Sequence, residues 1–473
     1  KLKRERQGEF QVRGKEEYYN NFIIGNMGGR GGGSARYTGL LSVLLVFVVA
    51  TGCRGSLLGA ATKPRIPPPD THDYCHAAVE EKEEIARVSG IMGAGYRLAM
   101  VQVVTRHGDR TPIERIRGSP VYDYNDGTVW NCKLNELTRT VLAGRDEAGP
   151  TREYEERFIP GIEAFPGNCL MGALTAKGAR QHVRNGAKCR QLYVNVTGLL
   201  STEFTEAELY ARSGNEPRLR DSAHAVLSGL YPTVRGDQHL YFDLVDEETD
   251  PMTPLTGNCY RLEGLYELYM QTPAWKNFTI YNDAMNVRVR DVFQTDAVAA
   301  FPLSDIIRCR SCHDFDVTFG GLLTVEDITN LIELSKFQFM FFPNDLYSSR
   351  LGSGVFLKTL MDNFRSNING ETTPKFSVFS GHDTTIWPLL NTINLFDGEW
   401  PPLASHILFE LWYDVQNTPY IAISYNGRDL TTYIEGCEGE QVCPFSVFSS
   451  TILKEELSYE EFTRECRVPK DTQ

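Results

Sequence analysis

The 473-residue sequence has a deficit of positive charge, no long apolar run and no internal repeat. Its 48 lysines and arginines are outnumbered by 61 aspartates and glutamates, and the formal charge of −13 argues against a nucleic-acid-binding surface. The apolar run at residues 40–50 is too short for a comfortable membrane span. No low-complexity tract follows Pro69, which excludes a repetitive or fibrous architecture for the rest of the chain. The hydrophobic content of 41% is sufficient for one large core with an insertion, or for two or three domains.

A valine-rich segment, Tyr96–Val104, predicts a strand that is covered on both faces. It leads into Arg106–Pro112 (RHGDRTP), at the carboxyl end of the strand, where open α/β sheets carry their sites. Arg106 and Arg110 offer rigid, permanently charged donors to the oxygens of a tetrahedral anion. His107 lies between them and is a candidate nucleophile toward phosphorus.

A second segment, Lys375–Ser380, predicts another short strand, followed by Gly381–Thr385 (GHDTT) and the start of a helix. His382 can donate a hydrogen bond to a phosphate oxygen. Asp383 can protonate a leaving alkoxide, provided that its pKa is raised enough to keep it protonated. The backbone amides of the helix start would face the anion.

Two further segments lie between these motifs. Tyr210–Ser213 contains Arg212 and is followed by Arg218 and Ser222, and Leu174–His182 reads LTAKGARQH. Together with RHGxRxP and the His-Asp pair, they resemble the histidine acid phosphatases, the acid branch of the histidine phosphatase superfamily, over residues 95–435.

This resemblance implies an α/β fold with a central, mostly parallel sheet flanked by helices and an inserted, mainly helical cap that shapes substrate choice. We assign residues 1–62 to a leader, 63–94 to a linker, 95–235 together with 352–473 to the core, and 236–351 to the cap.

The implied activity is the hydrolysis of phosphomonoesters through a phosphohistidine intermediate on His107, with Asp383 as proton donor. The phosphate would be bound by Arg106, Arg110, Arg212 and His382. Neither a metal nor a cofactor is required, because the arginines supply the positive charge.

Narrower alternatives are a glycan 2-phosphoxylose phosphatase or a phytase. The His-Asp pair differs from the His-Ala-Glu sequence of the animal-type inositol-polyphosphate phosphatases. A different class is a non-catalytic binding domain on the same fold, which the intact motif residues disfavour. Structural roles also compete residue by residue: a core histidine for His107, a helix cap for His382 or Asp383, and a surface ion pair for Arg212.

Eleven cysteines and two sequons, at Asn195 and Asn277, indicate the secretory pathway, with the protein secreted, lysosomal or in the Golgi lumen. We interpret residues 1–26, which precede Met27, as upstream sequence, and the run at 40–50 as a cleaved signal peptide. A type II membrane anchor and a bacterial lipoprotein signal ending at Cys53 are the alternatives. A homodimer is left open.

The sequence Cys309–His313 (CRSCH) matches the c-type haem attachment motif. We favour a disulfide-bearing loop, because only one copy occurs and no second axial ligand is indicated. Zinc binding by the same residues lacks a fourth ligand at finger spacing.

The sequence also supports three local structural predictions. Glu80–Arg87 is predicted to be a solvated helix, Thr324 is predicted to cap an amphipathic helix with Asp327 as its capping partner, and the tail from Glu435 onward is predicted to be loop.

Overall fold

The computed structural model describes residues 66–67, 73–77, 81–122, 126–134, 165–167, 169–233, 241–246, 249–253, 259–340 and 345–467. The predicted leader, with its apolar run at 40–50 and Cys53, lies outside these residues. Among the described helices, none combines the length and the apolar character needed to cross a membrane.

The described residues form an eight-stranded sheet with the order β3-β2-β4-β1-β5-β6-β7, and β8 pairs with β6. The strands are β1 (Arg97–Arg106), β2 (Leu209–Gly214), β3 (Asp243–Val245), β4 (Phe376–Gly381), β5 (His406–Tyr413), β6 (Pro419–Tyr425), β7 (Arg428–Asp429) and β8 (Cys443–Pro444). Strands β3, β2, β4 and β1 run parallel, and the strands beyond β1 are antiparallel. The predicted α/β class with a central, mostly parallel sheet is confirmed.

Helices cover both faces of this sheet. The α-helices of the described residues are α1 (Glu81–Gly93), α2 (Ala176–Arg190), α3 (Pro217–Leu230), α4 (Tyr260–Tyr269), α5 (Pro273–Phe293), α6 (Ala300–Ser311), α7 (Val325–Met340), α8 (Leu346–Ile368), α9 (Asp383–Thr392), α10 (Phe445–Ile452) and α11 (Tyr459–Cys466). On β5, Phe409 and Leu411 join the core under α8 and α9, whereas Leu408 and Trp412 join the core under α1 and α3. This alternation is the period-two pattern of a strand buried on both faces.

Helices α5, α6 and α7 share a separate apolar cluster that includes Val289, Leu303 and Leu331. The region assigned to the cap is therefore mainly helical where it is described, although it also contains β3, which belongs to the core sheet. Helix α8 runs without a break through the predicted boundary at residues 351 and 352, and the domain limits remain a prediction. Thr324 and Asp327 exchange the predicted capping hydrogen bonds at the start of α7, with distances of 3.1 and 2.9 Å.

Two local predictions are wrong. Helix α1 is not a solvated helix, because Glu84 and Arg87 are buried and paired with distant charged residues. The tail beyond Glu435 is not only loop, since it contains α10 and α11. The Ser-x-x-Glu capping box at Ser458 and Glu461 is the sequence signal that indicates the start of α11.

Four disulfides lie within the described residues. They join Cys75 to Cys312, Cys132 to Cys169, Cys259 to Cys466 and Cys437 to Cys443. Cys189 and Cys309 are free and buried. The CRSCH sequence lies at the end of α6 rather than in a loop, and the Cys75 disulfide removes Cys312 from any haem or zinc ligand set.

Candidate active site

The centre of the site is built by two neighbouring parallel strands. Arg106 at the end of β1 pairs with Gly381 at the end of β4, and the backbone N–H of His107 donates to the carbonyl of Gly381 over 2.9 Å. Residues His107 and His382 therefore leave the sheet side by side, with ring centroids 5.7 Å apart and planes at 80°. The two motifs that lie far apart in sequence meet at the carboxyl edge of the sheet, as predicted.

Arg212 reaches the same edge from the other side of β4. Strand β2 pairs in parallel with β4, with Arg212 opposite Phe379. The structure thus brings together all six predicted phosphate-site residues at three adjacent strand ends and the loops that follow them: Arg106, His107, Arg110, Arg212, His382 and Asp383.

A close backbone contact fixes the loop after β1. A Cβ atom on Gly108 would lie 2.5 Å from the carbonyl oxygen of Gly178, and a Cβ atom on Gly178 would lie 2.2 Å from the carbonyl oxygen of Asp109. Both positions therefore require glycine. This close contact explains the glycine at position 178 of the LTAKG segment. Thr175 of the same segment is the N-cap of α2, and its side chain accepts from the Gly178 N–H over 3.1 Å.

The imidazole of His107 is buried, and its environment selects one neutral tautomer. Its Nδ1 lies 2.8 Å from the carbonyl oxygen of Gly108, which can only accept, so Nδ1 carries the proton and Nε2 has the lone pair. Burial and then the positive charges of Arg106, Arg218 and Arg110 hold the pKa of His107 well below its ordinary value. The arrangement is that of a neutral nitrogen nucleophile.

Arg106 is fully buried and has three oxygen partners. Its guanidinium donates to the carbonyl of Pro401 and to the Tyr74 hydroxyl over 2.9 Å, and it forms an ion pair with Oδ2 of Asp383 at 2.9 Å. Arg106 therefore joins the end of β1 to the first residue of α9 and to the segment before α1.

Each remaining arginine also faces a carboxylate. Arg110 makes a bidentate contact with Asp305 of α6, at 2.8 and 3.2 Å, and Arg212 donates to Asp250 over 2.5 Å. The backbone N–H of Ile113 also donates to Asp305, over 3.0 Å. These acidic partners come from the region assigned to the cap, and no sequence signal pointed to them.

Arg218 and Glu216 were not assigned roles from the sequence, although Arg218 belongs to the motif that identified Arg212. Glu216 pairs with Arg218 and lies 3.4 Å from Nε2 of His382. Although burial raises the pKa of Glu216, its contacts with His382 and Arg218 hold that pKa below its ordinary value. His382 is the N-cap of α9, which is the structural role that the sequence offered as an alternative to phosphate binding. It therefore combines capping with a position in the site.

The condition set for Asp383 as proton donor, a raised pKa, is not met without substrate. Burial raises the pKa, but the Arg106 guanidinium, the Trp400 indole N–H, and the charges of His382 and Arg110 together hold it below its ordinary value. These neighbours therefore favour the ionised form of the carboxyl group.

An α/β sheet that gathers two histidines and several arginines at the ends of parallel strands has the chemistry of a phosphate-handling enzyme. The model of the histidine phosphatase superfamily (branch 2) matches residues 97–288 and 274–426. The chain belongs to this superfamily, and it is a phosphatase that hydrolyses phosphomonoesters.

Several curated proteins are similar over most of their length. Counting factor 60 of Dictyostelium discoideum is 32% identical over 371 residues, covering 76% of this chain and 86% of that protein. Lysophosphatidic acid phosphatase type 6 of Mus musculus is 26% identical over 78% of this chain and 88% of its own. The 2-phosphoxylose phosphatase 1 of Xenopus tropicalis is 23% identical over 76% and 75%.

Among solved structures, the apo form of Hafnia alvei phytase matches with a TM-score of 0.50 at 18% identity, covering 80% of this chain and 99% of the phytase. This likeness supports the fold.

Proposed function

We propose that the protein hydrolyses phosphomonoesters in two steps through a phosphohistidine on His107. In the first step Nε2 of His107 attacks phosphorus, the phosphorus–nitrogen bond forms as the ester P–O bond breaks, and Asp383 gives a proton to the departing alkoxide. In the second step Asp383 takes a proton from water, the resulting hydroxide attacks phosphorus, and the phosphorus–nitrogen bond breaks to restore neutral His107.

Arg106, Arg110, Arg212 and His382 hold the phosphate and stabilise the charge of its equatorial oxygens in the transition state. Although burial opposes it, Asp305 keeps the pKa of Arg110 well above its ordinary value, so this guanidinium stays charged at every working pH. A charge that is fixed in advance stabilises the transition state without further reorganisation.

Because the neighbours of Asp383 favour its ionised form, we propose that its proton arrives with the substrate. A phosphomonoester monoanion carries a proton whose pKa is about 6, and the negative phosphate raises the pKa of a neighbouring carboxylate. Transfer of this proton to Asp383 on binding makes the acid form, and we propose that the acid pH optimum reflects the supply of monoanion.

The observation that carries the proposal is the pairing of Arg106 with Gly381, which places His107 and His382 side by side and brings Asp383 to Arg106. A non-catalytic binding domain would not need a buried, neutral imidazole with one free nitrogen lone pair.

The test is a brief reaction with a labelled phosphomonoester, followed by an assay for an acid-labile, base-stable phosphoprotein. We expect the wild type to be labelled and His107→Ala to lose both the label and turnover, by on the order of 10⁴-fold or more. His224→Ala, which removes an exposed histidine of α3, is the matched control and should behave as the wild type. Turnover and labelling that survive in His107→Ala would remove the nucleophile assignment.

The proton donor has a separate test. Asp383→Asn should reduce hydrolysis of alkyl phosphates by roughly 10²- to 10⁴-fold, and it should reduce hydrolysis of p-nitrophenyl phosphate much less, because that leaving group departs without a proton. Equal losses on the two substrates would show that Asp383 is not the acid.

We also propose a glycosylated protein of the secretory pathway. The four disulfides are compatible with an oxidising compartment, and the side chains of Asn195 and Asn277 are exposed. Mass analysis before and after glycosidase treatment tests both sites. A panel of lipid, glycan, protein and inositol phosphates would identify the substrate class.

A further inference from the structure

Trp400, in the segment between α9 and β5, contacts the reacting carboxyl group directly. Its side chain is buried, and its indole N–H donates to Oδ2 of Asp383 over 2.9 Å. An indole N–H can only donate, so it favours a carboxylate oxygen as its partner over a protonated one. The motifs that predicted the site did not include this residue.

The two oxygens of Asp383 are not equivalent. Oδ2 accepts from the Trp400 N–H and forms an ion pair with Arg106, whereas the described contacts of Oδ1 are limited to the backbone N–H of Thr384, at 2.9 Å. A proton on Oδ2 would oppose two donors, one of them cationic, and a proton on Oδ1 would oppose a single amide. Oδ1 is therefore the oxygen that carries the transferred proton.

Helices of the predicted cap hold the Trp400 ring in place. Phe339 of α7 stacks on it with centroids 4.4 Å apart and planes at 3°. The guanidinium of Arg308, from α6, lies 4.6 Å from the Trp400 ring centroid and 4.8 Å from that of Tyr74.

These contacts close a ring of five residues. Tyr74 accepts from Arg106, Arg106 pairs with Asp383, Asp383 accepts from Trp400, and Arg308 lies against both Trp400 and Tyr74. The Cys75–Cys312 disulfide fastens the Tyr74 segment to the end of α6, the helix that carries Arg308.

We propose that Trp400 is a positioning residue that orients the carboxyl group of Asp383, directs its proton to Oδ1 and biases it toward the ionised form, and that α6 and α7 exert this control through Arg308 and Phe339. The inference rests on the proposed role of Asp383 as the acid. The other charges that act on Asp383 are Arg106 from β1, Arg110 from the following loop and His382 from the cap of α9.

The test compares an alkyl phosphate with p-nitrophenyl phosphate across pH 3.5–8, using the ratio of their kcat/KM values. Only the alkyl ester needs the acid, so the fall of this ratio with rising pH reports the protonation of Asp383 and is insensitive to general damage. Trp400→Phe keeps the aromatic ring and removes the donor. We expect the fall to move to higher pH, and the alkyl rate at the optimum to drop roughly ten- to a hundredfold because the carboxyl group is less well placed.

Trp387→Phe is the matched control. Trp387 lies in α9 within one turn of Asp383 and is buried, and its indole N–H has no hydrogen-bond partner among the described residues. Its profile should coincide with that of the wild type. Phe339→Leu keeps the indole and loosens it, and should move the profile in the same direction by less. It also keeps the test valid if Trp400→Phe fails to fold.

The outcomes separate this inference from the proposed function. If Asp383→Asn leaves the alkyl-to-aryl ratio unchanged, the acid assignment itself fails. If Asp383→Asn abolishes the pH dependence of the ratio, but folded Trp400→Phe and Phe339→Leu keep the wild-type profile or move it to lower pH, Trp400 does not position the acid.

Discussion

The molecule contains two groups of buried charges with similar chemistry and different locations. In the core group, Arg87 donates to Oε2 of Glu410 over 2.9 Å, while the Tyr193 hydroxyl donates to Oε1 over 2.8 Å. Glu410 lies in the middle of β5, and its partners come from the helices and strands that pack around it. In the site group, four arginines stand at or near the carboxyl ends of β1 and β2, where an anion can approach.

The comparison shows that a buried ion pair is not by itself a sign of function. What distinguishes the site group is its place at the carboxyl ends of the strands, since the core pair also joins segments that are remote in sequence. Its four arginines face four carboxylates, so their formal charges cancel before a phosphate binds. The core pair joins α1 to the middle of β5. The site pairs lie where we propose that the phosphate binds, so their carboxylates would compete with the substrate anion.

The largest expected effect distinguishes the two groups by activity. Arg212→Met should lower kcat/KM by roughly 10²- to 10³-fold, because one donor to the equatorial oxygens is lost, and should also lower the free energy of unfolding, because Asp250 is left buried without its partner. Steady-state kinetics and urea unfolding measure both quantities. A variant with normal kcat/KM would place Arg212 with the structural ion pairs.

In the core, a single change should lower stability and leave activity unchanged. Glu410→Gln leaves the buried Arg87 without its carboxylate and should lower the free energy of unfolding by about 3–5 kcal/mol, with kcat of the folded fraction unchanged. The double variant Arg87→Met with Glu410→Leu removes both charges and should recover most of that loss. A kcat that falls with the single change, in protein shown to be folded, would erase the distinction between the two groups.

A smaller effect concerns acid stability. Burial lowers the pKa of His182 from 6.5 to about 3. Between pH 6.5 and pH 3 the unfolded chain therefore binds a proton at this histidine that the folded chain does not bind. The free energy of unfolding falls as the pH drops through this range, by up to about 1.4 kcal/mol per pH unit. Burial of His406 acts with the same sign.

His182→Leu should flatten the dependence of the unfolding free energy on pH, as measured in urea at pH 7.0 and pH 4.5. His76→Leu, which removes an exposed imidazole, is the substitution control. An unchanged slope in His182→Leu would mean that this histidine does not oppose folding in acid.

The smallest expected effect tests competition within the site. Asp250→Asn weakens the acidic partner of Arg212 while keeping the side-chain shape, so inorganic phosphate should inhibit more strongly, by roughly two- to tenfold. The inhibition constant of phosphate in the wild type and the variant measures this. Weaker inhibition would show that Asp250 orients Arg212 for the anion rather than competing for it.

The sequence was sufficient for the parts of the site that are local. The strand preceding His107 was recognisable from its valines, and the His-Asp pair from its place after a short strand. The parallel pairing of Arg106 with Gly381 then follows from general rules of α/β sheets.

The rest depends on contacts between residues remote in the chain. Asp305, Trp400 and Tyr74 lie in segments without periodicity or motif, and only packing reveals that they hold Arg110, Asp383 and Arg106. The solvated-helix prediction for α1 failed for the same reason, because Glu84 is buried against Lys188 of α2. The lowered pKa of Asp383 likewise depends on Arg106 and Trp400, which are remote from it or outside its motif.

The parallel pairing of β1 with β4 has a consequence for how the enzyme is made. The two strands are separated in sequence by residues 107–375, so the proposed nucleophile and the proposed proton donor meet only after the intervening helices have closed a very long loop. During refolding, catalytic turnover should therefore recover later than the helical circular-dichroism signal. The time course of turnover then measures the rate of the last step of assembly.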